Sequence, residues 1–345
     1  MPSQATAFAP GRVNLIGEHT DYNEGLALPF AISDGVTVHA RAIPANRIEA
    51  FARDLDARDR FELGRPAPAA KGWRAFIHGA AAELAKTGVS VRGTRLEIYG
   101  TVPRGAGLSS SAALEVALTL ALIAVAGAEQ PPKTELAKLC SRVENEWVGA
   151  QTGLLDQLAS LCGERERALR IDFRALDVQP VLLELGDFKL VTLDSGERHA
   201  NAASGYNERR SQCAQARDEL GLESLRDATL EMAAELPRPL RQRVEHVVTE
   251  NERVSSTVAA LERRDLEAVG GLLDASHASL RDCYEVSTPA VERAVERCRE
   301  AGAIGARIMG GGFGGNVLAL FPPDANPPEG AVEVTPGAGA HVEAL

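Results

Sequence analysis

A run of carboxylate, imidazole and hydroxyl side chains follows Gly17, near the start of the sequence, and includes Glu18, His19 and Asp21. Glycines enclose the stretch at residues 11 and 25, and its first half contains three apolar residues, at positions 13, 15 and 16. Gly17 can adopt a positive φ that ends a short strand, so the polar side chains would leave one tight loop. Such a loop offers several hydrogen-bonding groups to one small polar ligand. The alternative is a solvated turn whose charges face water.

A second stretch, GAGLSSSAALEVA over residues 105–117, joins a glycine-rich turn to an apolar helix. Small residues let the backbone approach a ligand closely, and the serines stand where they can cap the helix. The free N–H groups and the positive dipole end of such a helix attract an anion, which predicts a phosphate site. The stretch is neither a Walker loop nor a dinucleotide fingerprint. A capped core helix without a ligand is the alternative.

Two acidic residues lie among apolar neighbours in the middle of the chain. Asp156 stands in the segment GLLDQLAS, residues 153–160. An isolated buried charge is costly, so this carboxylate must be paired or functional. Glu144 lies at the edge of the apolar stripe of a predicted helix over residues 134–148, where a solvated acid is the ordinary interpretation.

Apolar periodicity predicts the elements that position these residues. Strands are predicted at residues 35–40, 48–51 (which could pair with 35–40), 96–99, 168–173, 188–193, 306–308 and 317–321. Helices are predicted at residues 73–85, 116–128, 134–148, 206–220, 240–263, 265–282 and 288–301. Residues 54–71 are interpreted as a surface connection. Two Pro-Pro pairs within residues 322–330 forbid a helix before the last predicted strand, at 332–334.

Length and composition narrow the class of protein. With 345 residues, 45% of them hydrophobic, the chain can bury a large core and is predicted to have two domains, 1–186 and 187–345, the second rich in helices. A net charge of -11 argues against nucleic acid or an anionic membrane as the main partner. Five widely spaced cysteines fit reduced thiols, and the N-terminus shows no signal segment. The longest apolar helix is too short for a bilayer, so a cytoplasmic protein is predicted.

Three motifs carry a resemblance to a known family. Residues 12–22, RVNLIGEHTDY, resemble the galactokinase signature of the galactokinase, homoserine kinase, mevalonate kinase and phosphomevalonate kinase superfamily. Residues 105–117 and the glycine-rich residues 309–316 resemble its second and third motifs, with departures at Met309 and Asn316. The resemblance implies an α+β fold with an N-terminal ribosomal-protein-S5-like domain and a C-terminal ferredoxin-like domain. The active site would lie in the cleft between them.

The resemblance also implies a reaction, the ATP-dependent phosphorylation of the anomeric hydroxyl of D-galactose. It makes Asp156 the catalytic base, with Arg12 beside it to keep the carboxylate ionised and stabilise developing charge. The residues implied in sugar binding are Glu18, His19, Asp21, Gly153 and Tyr206. Those implied in ATP binding are Trp73, beside the adenine, and Gly105, Ala106, Gly107, Leu108, Ser109, Ser110 and Ser111, around the phosphates. Magnesium would be held by Glu144 and Ser111, with Ser110 as the alternative hydroxyl.

Three other functions stay open at this level. The sugar could be N-acetylgalactosamine or arabinose, because specificity depends on a pocket volume that sequence does not give. A sensor that binds sugar and ATP without turnover is disfavoured by the intact serine run and by Asp156. A nucleotide-binding scaffold would leave the carboxylate-rich loop without a purpose. We expect D-galactose and ATP as partners, no nucleic acid, no membrane, and a monomer or weak homodimer.

Overall fold

The computed structural model describes residues 3–65, 70–102, 107–150, 152–198 and 202–344. It has the predicted α+β class, with helices packed on mainly antiparallel sheets. The strands are β1 (Gln4–Asn14), β2 (Leu26–Ala27), β3 (Pro29–Ala42), β4 (Arg47–Ala52), β5 (Ala57–Glu62), β6 (Thr94–Gly100), β7 (Arg167–Asp172), β8 (Asp177–Leu182), β9 (Lys189–Arg198), β10 (Gly305–Ile308), β11 (Gly314–Phe321), β12 (Val332–Glu333) and β13 (His341–Ala344). The helices are α1 (Trp73–Lys86), α2 (Ser110–Ala126), α3 (Lys133–Arg142), α4 (Leu155–Cys162), α5 (Ala202–Glu219), α6 (Leu230–Ala234), α7 (Leu240–Glu262), α8 (Leu266–Asp282) and α9 (Pro289–Glu300).

The N-terminal sheet has the strand order β13-β1-β3-β6-β4-β5 in the described part of the chain. The predicted pairing of residues 48–51 with 35–40 is wrong, because β6 lies between β3 and β4 and runs parallel to β4. Helix α1 supplies the crossover that a parallel pair requires. Residues 57–62, expected in a surface connection, form the edge strand β5. Its alternating charged residues suit an exposed edge.

Helix α2 is apolar on all sides because it is buried on all sides. It packs against β1 and β3 on one side and against α1, α3 and α4 on the others. Burial of each large aliphatic side chain contributes about 1.5–3 kcal/mol, so this helix anchors the N-terminal core. The helix predicted at 116–128 therefore exists, and it begins at Ser110, where the polar residues of the glycine-rich turn end.

The C-terminal sheet has the order β10-β11-β9-β12, and α8 and α9 pack against it. The three long helices predicted at residues 240–301 are α7, α8 and α9. No helix lies between β11 and β12 in the described chain, in agreement with the prolines. The short edge strand β12 is followed by β13, which returns to pair with β1. The domain boundary between residues 186 and 187 stays a proposal. Strand β13 follows this boundary in the sequence but belongs to the N-terminal sheet.

All five cysteines have free thiols, as the sequence predicts. Three of them, Cys140, Cys213 and Cys298, are buried. Within the described ranges, no helix combines the length and the apolar character needed to span a membrane.

Candidate active site

The loop of residues 17–25, which we call the polar loop, is bent sharply between β1 and β2. Gly17 has φ +100°, and a Cβ atom there would lie 2.6 Å from the Cα atom of Ala27, so the predicted glycine turn is confirmed. The Thr20 hydroxyl lies 2.9 Å from the Gly17 carbonyl oxygen and 2.7 Å from that of Leu26. These contacts tie the two ends of the loop together.

Side chains of α7 hold the polar loop from the C-terminal half of the chain. The Glu250 carboxylate accepts a hydrogen bond from the Gly17 N–H at 3.0 Å, and the Asn251 side-chain oxygen accepts one from the Leu26 N–H at 2.7 Å. Burial acts to raise the pKa of Glu250, but Arg253 and other neighbouring positive groups lower it to about 2. The sequence predicts α7 as an amphipathic helix, but the spacing of its apolar residues does not show that Glu250 and Asn251 bind the polar loop.

A buried ion pair joins the polar loop to the glycine-rich segment of residues 309–315. The Arg307 Nη2 atom lies 2.5 Å from the Glu18 Oε1 atom, and the same oxygen accepts the Gly310 N–H at 2.8 Å. Buried charges are costly unless they are paired and hydrogen-bonded. The close packing predicted for the glycine-rich segment is observed here. Glu18 thus has one carboxylate oxygen already engaged by the protein.

A cavity of about 320 Å³, which we call the first cavity, opens between the polar loop and the glycine-rich segment. Its lining includes every residue predicted for catalysis and sugar binding: Arg12, Glu18, His19, Asp21, Gly153, Asp156 and Tyr206. The other lining residues are Gly149, Ala150, Thr152, Leu155, Asn207, Gly310, Gly311 and Gly312. The volume is near the lower end of the range for small-molecule sites, ~300–1,000 Å³. It suits one small polar molecule.

Asp156 lies in the first turn of α4 and lines the first cavity. The Nε and Nη2 atoms of Arg12 both lie 2.8 Å from its Oδ1 atom, and the Ser109 hydroxyl donates to its Oδ2 atom. The register of β1 against β3 shifts between Pro10 and Arg12, and such bulges re-aim side chains beside active sites. Arg12 also donates to the Gly107 carbonyl oxygen at 2.7 Å. The bulge therefore places a cation between the carboxylate and the glycine-rich turn.

The serines of the glycine-rich turn act differently from the prediction. Ser109 occupies the N-cap position of α2 but makes no capping hydrogen bond, because its side chain turns to Asp156. Its φ of +56° is uncommon for a residue with a side chain, and such conformations collect at functional sites. Ser110 and Ser111 begin α2. Of the other residues predicted here, Gly107 and Leu108 adjoin Arg12 through their carbonyl oxygens, and Gly105 and Ala106 lie outside the described residues.

Asp21 packs directly against the backbone of Gly153. A Cβ atom on Gly153 would lie 1.9 Å from the Asp21 Oδ2 atom, so residue 153 must be glycine for the carboxylate to stand where it does. Burial raises the pKa of Asp21 to about 6, and the negative charge of Asp156 adds to the effect. The two carboxylates therefore face the same small volume.

A chain of hydrogen bonds runs from the first cavity into the C-terminal core. The His19 Nδ1 atom lies 2.9 Å from the Tyr22 hydroxyl, which is 3.1 Å from the Tyr284 hydroxyl, and Tyr284 lies 2.9 Å from the Cys213 sulfur. Burial lowers the pKa of His19 to about 3, so the imidazole is neutral. The Tyr206 ring, on α5, lies 5.2 Å from that of His19. The sequence gives no signal for Tyr284, because Tyr22, its hydrogen-bond partner in the polar loop, lies 262 residues away.

The predicted metal ligands lie close together at the end of α3. There the helix continues as a π-helical segment, Val143–Val148, a form often found at functional sites. Burial raises the pKa of Glu144, followed by the charge of Asp156, while hydrogen bonds from Thr152 and Ser111 lower it. Carboxylate and hydroxyl oxygens are the donors that magnesium prefers. A divalent cation would also offset the excess negative charge, so the residues present fit magnesium.

A second cavity, of about 580 Å³, lies at the N-terminus of α2 on the sheet side. Trp73 lines it together with Ser110 and Ser111, and the family resemblance implies ATP binding for all three. Its remaining walls are mainly apolar, from Val36, Ala52, Leu55, Phe76, Ile98, Val102 and Leu114, with Asp54, Gly72 and Gly100. An aromatic ring on an apolar wall beside a helix N-terminus suits a ligand with a flat base and an anionic group.

Comparisons with known proteins identify the family of this chain. Three family models match: the galactokinase galactose-binding signature at residues 2–42, the GHMP kinases N terminal domain at 75–164 and the GHMP kinases C terminal model at 257–335. A galactokinase of Mycobacterium tuberculosis is 42% identical over 322 residues, which cover 92% of this chain and 88% of that protein. The structure of Lactococcus lactis galactokinase complexed with galactose matches with a TM-score of 0.90 and 30% identity, covering 98% of this chain and 95% of that one. A mevalonate kinase structure, 20% identical with a TM-score of 0.67, shares the fold. The chain therefore belongs to the galactokinases, the ATP-dependent sugar kinases of the GHMP kinase family.

Proposed function

We propose that the protein transfers the γ-phosphoryl group of ATP to the anomeric hydroxyl of D-galactose, giving galactose 1-phosphate and ADP. The observation that carries the proposal is the first cavity, in which the Asp156 carboxylate, held by Arg12, faces the polar loop. Phosphoryl transfer depends mainly on positioning and on neutralising charge. A fixed carboxylate beside a cation and a polar sugar-sized cavity supply both conditions.

Asp156 acts as the base in this proposal. It accepts the proton of the anomeric hydroxyl as the hydroxyl oxygen bonds to the γ-phosphorus and the bond from that phosphorus to the leaving ADP oxygen breaks. Arg12 lies between Asp156 and the Gly107 carbonyl oxygen, where its charge offsets the negative charge that develops. The hydrogen bond from Ser109 fixes the second carboxylate oxygen, which limits the orientations available to the base.

The polar loop provides the sugar contacts. Asp21 accepts hydrogen bonds from ring hydroxyls, and its position against Gly153 fixes the direction of those bonds. Neutral His19 and Tyr206 lie close together on another wall and complete the polar lining. Glu18 contributes through the carboxylate oxygen that Arg307 does not hold. A galactokinase structure containing galactose, which has the same fold, supports the choice of sugar.

The glycine-rich turn and the second cavity bind ATP. The backbone of residues 107–111 would surround the phosphates, and Trp73, which lines the second cavity, would lie beside the adenine. Glu144 and the Ser111 hydroxyl would hold magnesium, which neutralises phosphate charge when bound. Ser109 donates a hydrogen bond to Asp156, which lines the first cavity, and the next two serines line the second cavity, so the γ-phosphate would point from the second cavity towards the first. We propose a cytoplasmic enzyme.

A panel of sugars with ATP and magnesium, followed by ³¹P NMR of the products, tests the proposal. D-galactose should give a sugar 1-phosphate faster than N-acetylgalactosamine, arabinose or glucose. The Asp156→Ala variant should lose turnover by ~10²–10⁴-fold, the range for general base catalysis, while it still binds galactose. Asp324→Ala, a change at an exposed residue that lines neither cavity, is the matched control. A parent rate in Asp156→Ala, or no product from galactose, would contradict the proposed function.

A further inference from the structure

A buried glutamine connects the residue proposed to hold magnesium with a second buried acid. Gln157 follows Asp156 in the first turn of α4, and its side chain is completely buried. Its Nε2 atom donates to the Glu115 Oε1 atom at 2.7 Å and to the Glu144 Oε2 atom at 3.0 Å. Because both neighbours are acceptors, the amide must present its NH₂ group to them. One side chain thus fixes two carboxyl groups.

The second acid, Glu115, has no evident role in the proposed reaction. It lies on α2 one turn after Ser111 and is completely buried. Burial raises its pKa well above the ordinary value, and the charge of Glu144 raises it further. A buried acid with no cation beside it is costly, and the Glu115 Oε1 atom accepts the hydrogen bond of the Gln157 amide. Glu115 therefore serves as a fixed acceptor that orients the glutamine.

The neutrality of these contacts matters for a metal site. Glu144 receives hydrogen bonds from Thr152, Gln157 and Ser111, all of them neutral groups. A lysine or arginine in the place of Gln157 would pair with Glu144 and compete with a metal ion. A neutral amide fixes the direction of the carboxylate and leaves its charge to attract a cation.

We propose that Gln157, oriented by Glu115, is a positioning residue that holds the Glu144 carboxylate in the geometry required to bind magnesium with the nucleotide. This inference rests on the proposed function, in which Glu144 holds the metal. Since Asp156 and Gln157 are adjacent on α4, the same helical turn sets both the base and the metal carboxylate. A shift of α4 would therefore disturb both at once.

Nucleotide binding with and without magnesium tests the proposal. Isothermal titration calorimetry with a non-hydrolysable ATP analogue gives two Kd values for each variant, and their ratio reports how strongly magnesium supports binding. Gln157→Leu should reduce this ratio by ~10-fold or more, because loss of an outer contact to a metal ligand costs ~10–100-fold in metal affinity. Binding of the metal-free analogue should stay at the parent value. Glu115→Gln, which keeps an acceptor for the amide, should retain most of the parent ratio.

Ser160→Ala is the matched structural control. Ser160 is buried on the same helix and donates to the Pro10 carbonyl oxygen at 2.8 Å, away from Glu144. The Ser160→Ala variant should have a lower melting temperature than the parent and an unchanged ratio of the Kd values with and without magnesium. If Gln157→Leu behaves in the same way while Glu144→Ala reduces the ratio, Gln157 is merely structural and the inference is wrong. If Glu144→Ala also leaves the ratio unchanged, the proposed metal assignment fails, and the inference with it.

Discussion

Replacing Gly153 with alanine tests the sugar cavity with a single methyl group. A Cβ atom at residue 153 would lie 1.9 Å from the Asp21 Oδ2 atom and 2.6 Å from its Cγ atom, whereas ordinary contact begins at 3.4 Å. The carboxylate must therefore move by about 1.5 Å, the difference between 3.4 and 1.9 Å. A misplacement of ~1 Å in a reacting complex can cost ~10²-fold. We expect kcat/KM for galactose to fall by ~100-fold or more.

Steady-state kinetics with an ADP-coupled assay measures this effect. The KM for ATP should stay near the parent value, because Gly153 does not line the second cavity. Gly271→Ala, on α8, is the matched control, since a Cβ atom there meets no atom within 4 Å. It should leave the kinetics unchanged and stabilise the helix by up to ~1 kcal/mol.

A double-mutant cycle with Asp21→Ala identifies the contact responsible. Without the Asp21 carboxylate, the methyl group meets the Cβ atom of residue 21 at 3.2 Å, a far milder contact. Gly153→Ala should therefore cost much less in the Asp21→Ala background than in the parent. An equal cost in both backgrounds, or parent kinetics in Gly153→Ala, would refute the reasoning.

Other predictions concern the polar loop and the second cavity. Asp21→Ala should reduce the preference for galactose over its C4 epimer glucose, measured as the ratio of kcat/KM values, and an unchanged ratio would place discrimination elsewhere. Since the pKa of Asp21 is raised to about 6, kcat/KM for galactose in the parent should fall as the pH drops through that value, and Asp21→Asn should abolish this limb. Glu250→Gln should lower the free energy of unfolding in urea by ~3–5 kcal/mol at neutral pH, as expected when one partner of a buried ion pair is removed. The folded-state pKa of Glu250 is lowered from 4.5 to about 2, so its contribution to the free energy of unfolding is complete above pH 4.5 and is lost as the pH falls through 2. The parent and Glu250→Gln should therefore have similar free energies of unfolding near pH 2. Trp73→Ala should raise the KM for ATP by ~10-fold, from a stacking contribution of ~1–3 kcal/mol, with the KM for galactose unchanged.

The local features of the site follow directly from the sequence. Gly17 adopts a positive φ and turns the chain after β1, and the polar residues after it reach the first cavity, as predicted. The helix that begins after the glycine-rich turn is also predicted, since its apolar residues continue without a break. Signals of this kind depend on a few neighbouring residues, which is why they are readable without a structure.

The long-range parts of the site have no such local signal. Arg307 and Glu18 are nearly 290 residues apart, and their pairing depends on how β10 approaches the polar loop. The change from α to π geometry at Glu144 is also invisible in the apolar period, which continues across it. The sequence predicts that Ser109 can cap α2, but its hydroxyl donates to Asp156 instead. Asp156 lies on α4, 47 residues away in the sequence. In each case a tertiary contact decides between local alternatives of similar energy.

The charges around the first cavity link these contacts to catalysis. Burial raises the pKa of Asp21 and of Glu144, and the negative charge of Asp156 adds to both shifts. Arg12 pairs with Asp156, which leaves the charge of Glu144 for a cation. With the nucleotide already bound, a magnesium ion at Glu144 would add positive charge and favour the ionised form of Asp21, which accepts hydrogen bonds from the sugar. We therefore expect magnesium to raise the affinity of the first cavity for galactose, because the two binding events would be coupled. The galactose affinity measured with a non-hydrolysable ATP analogue should rise when magnesium is added, and the rise should be larger at pH 6 than at pH 8, where Asp21 is already ionised.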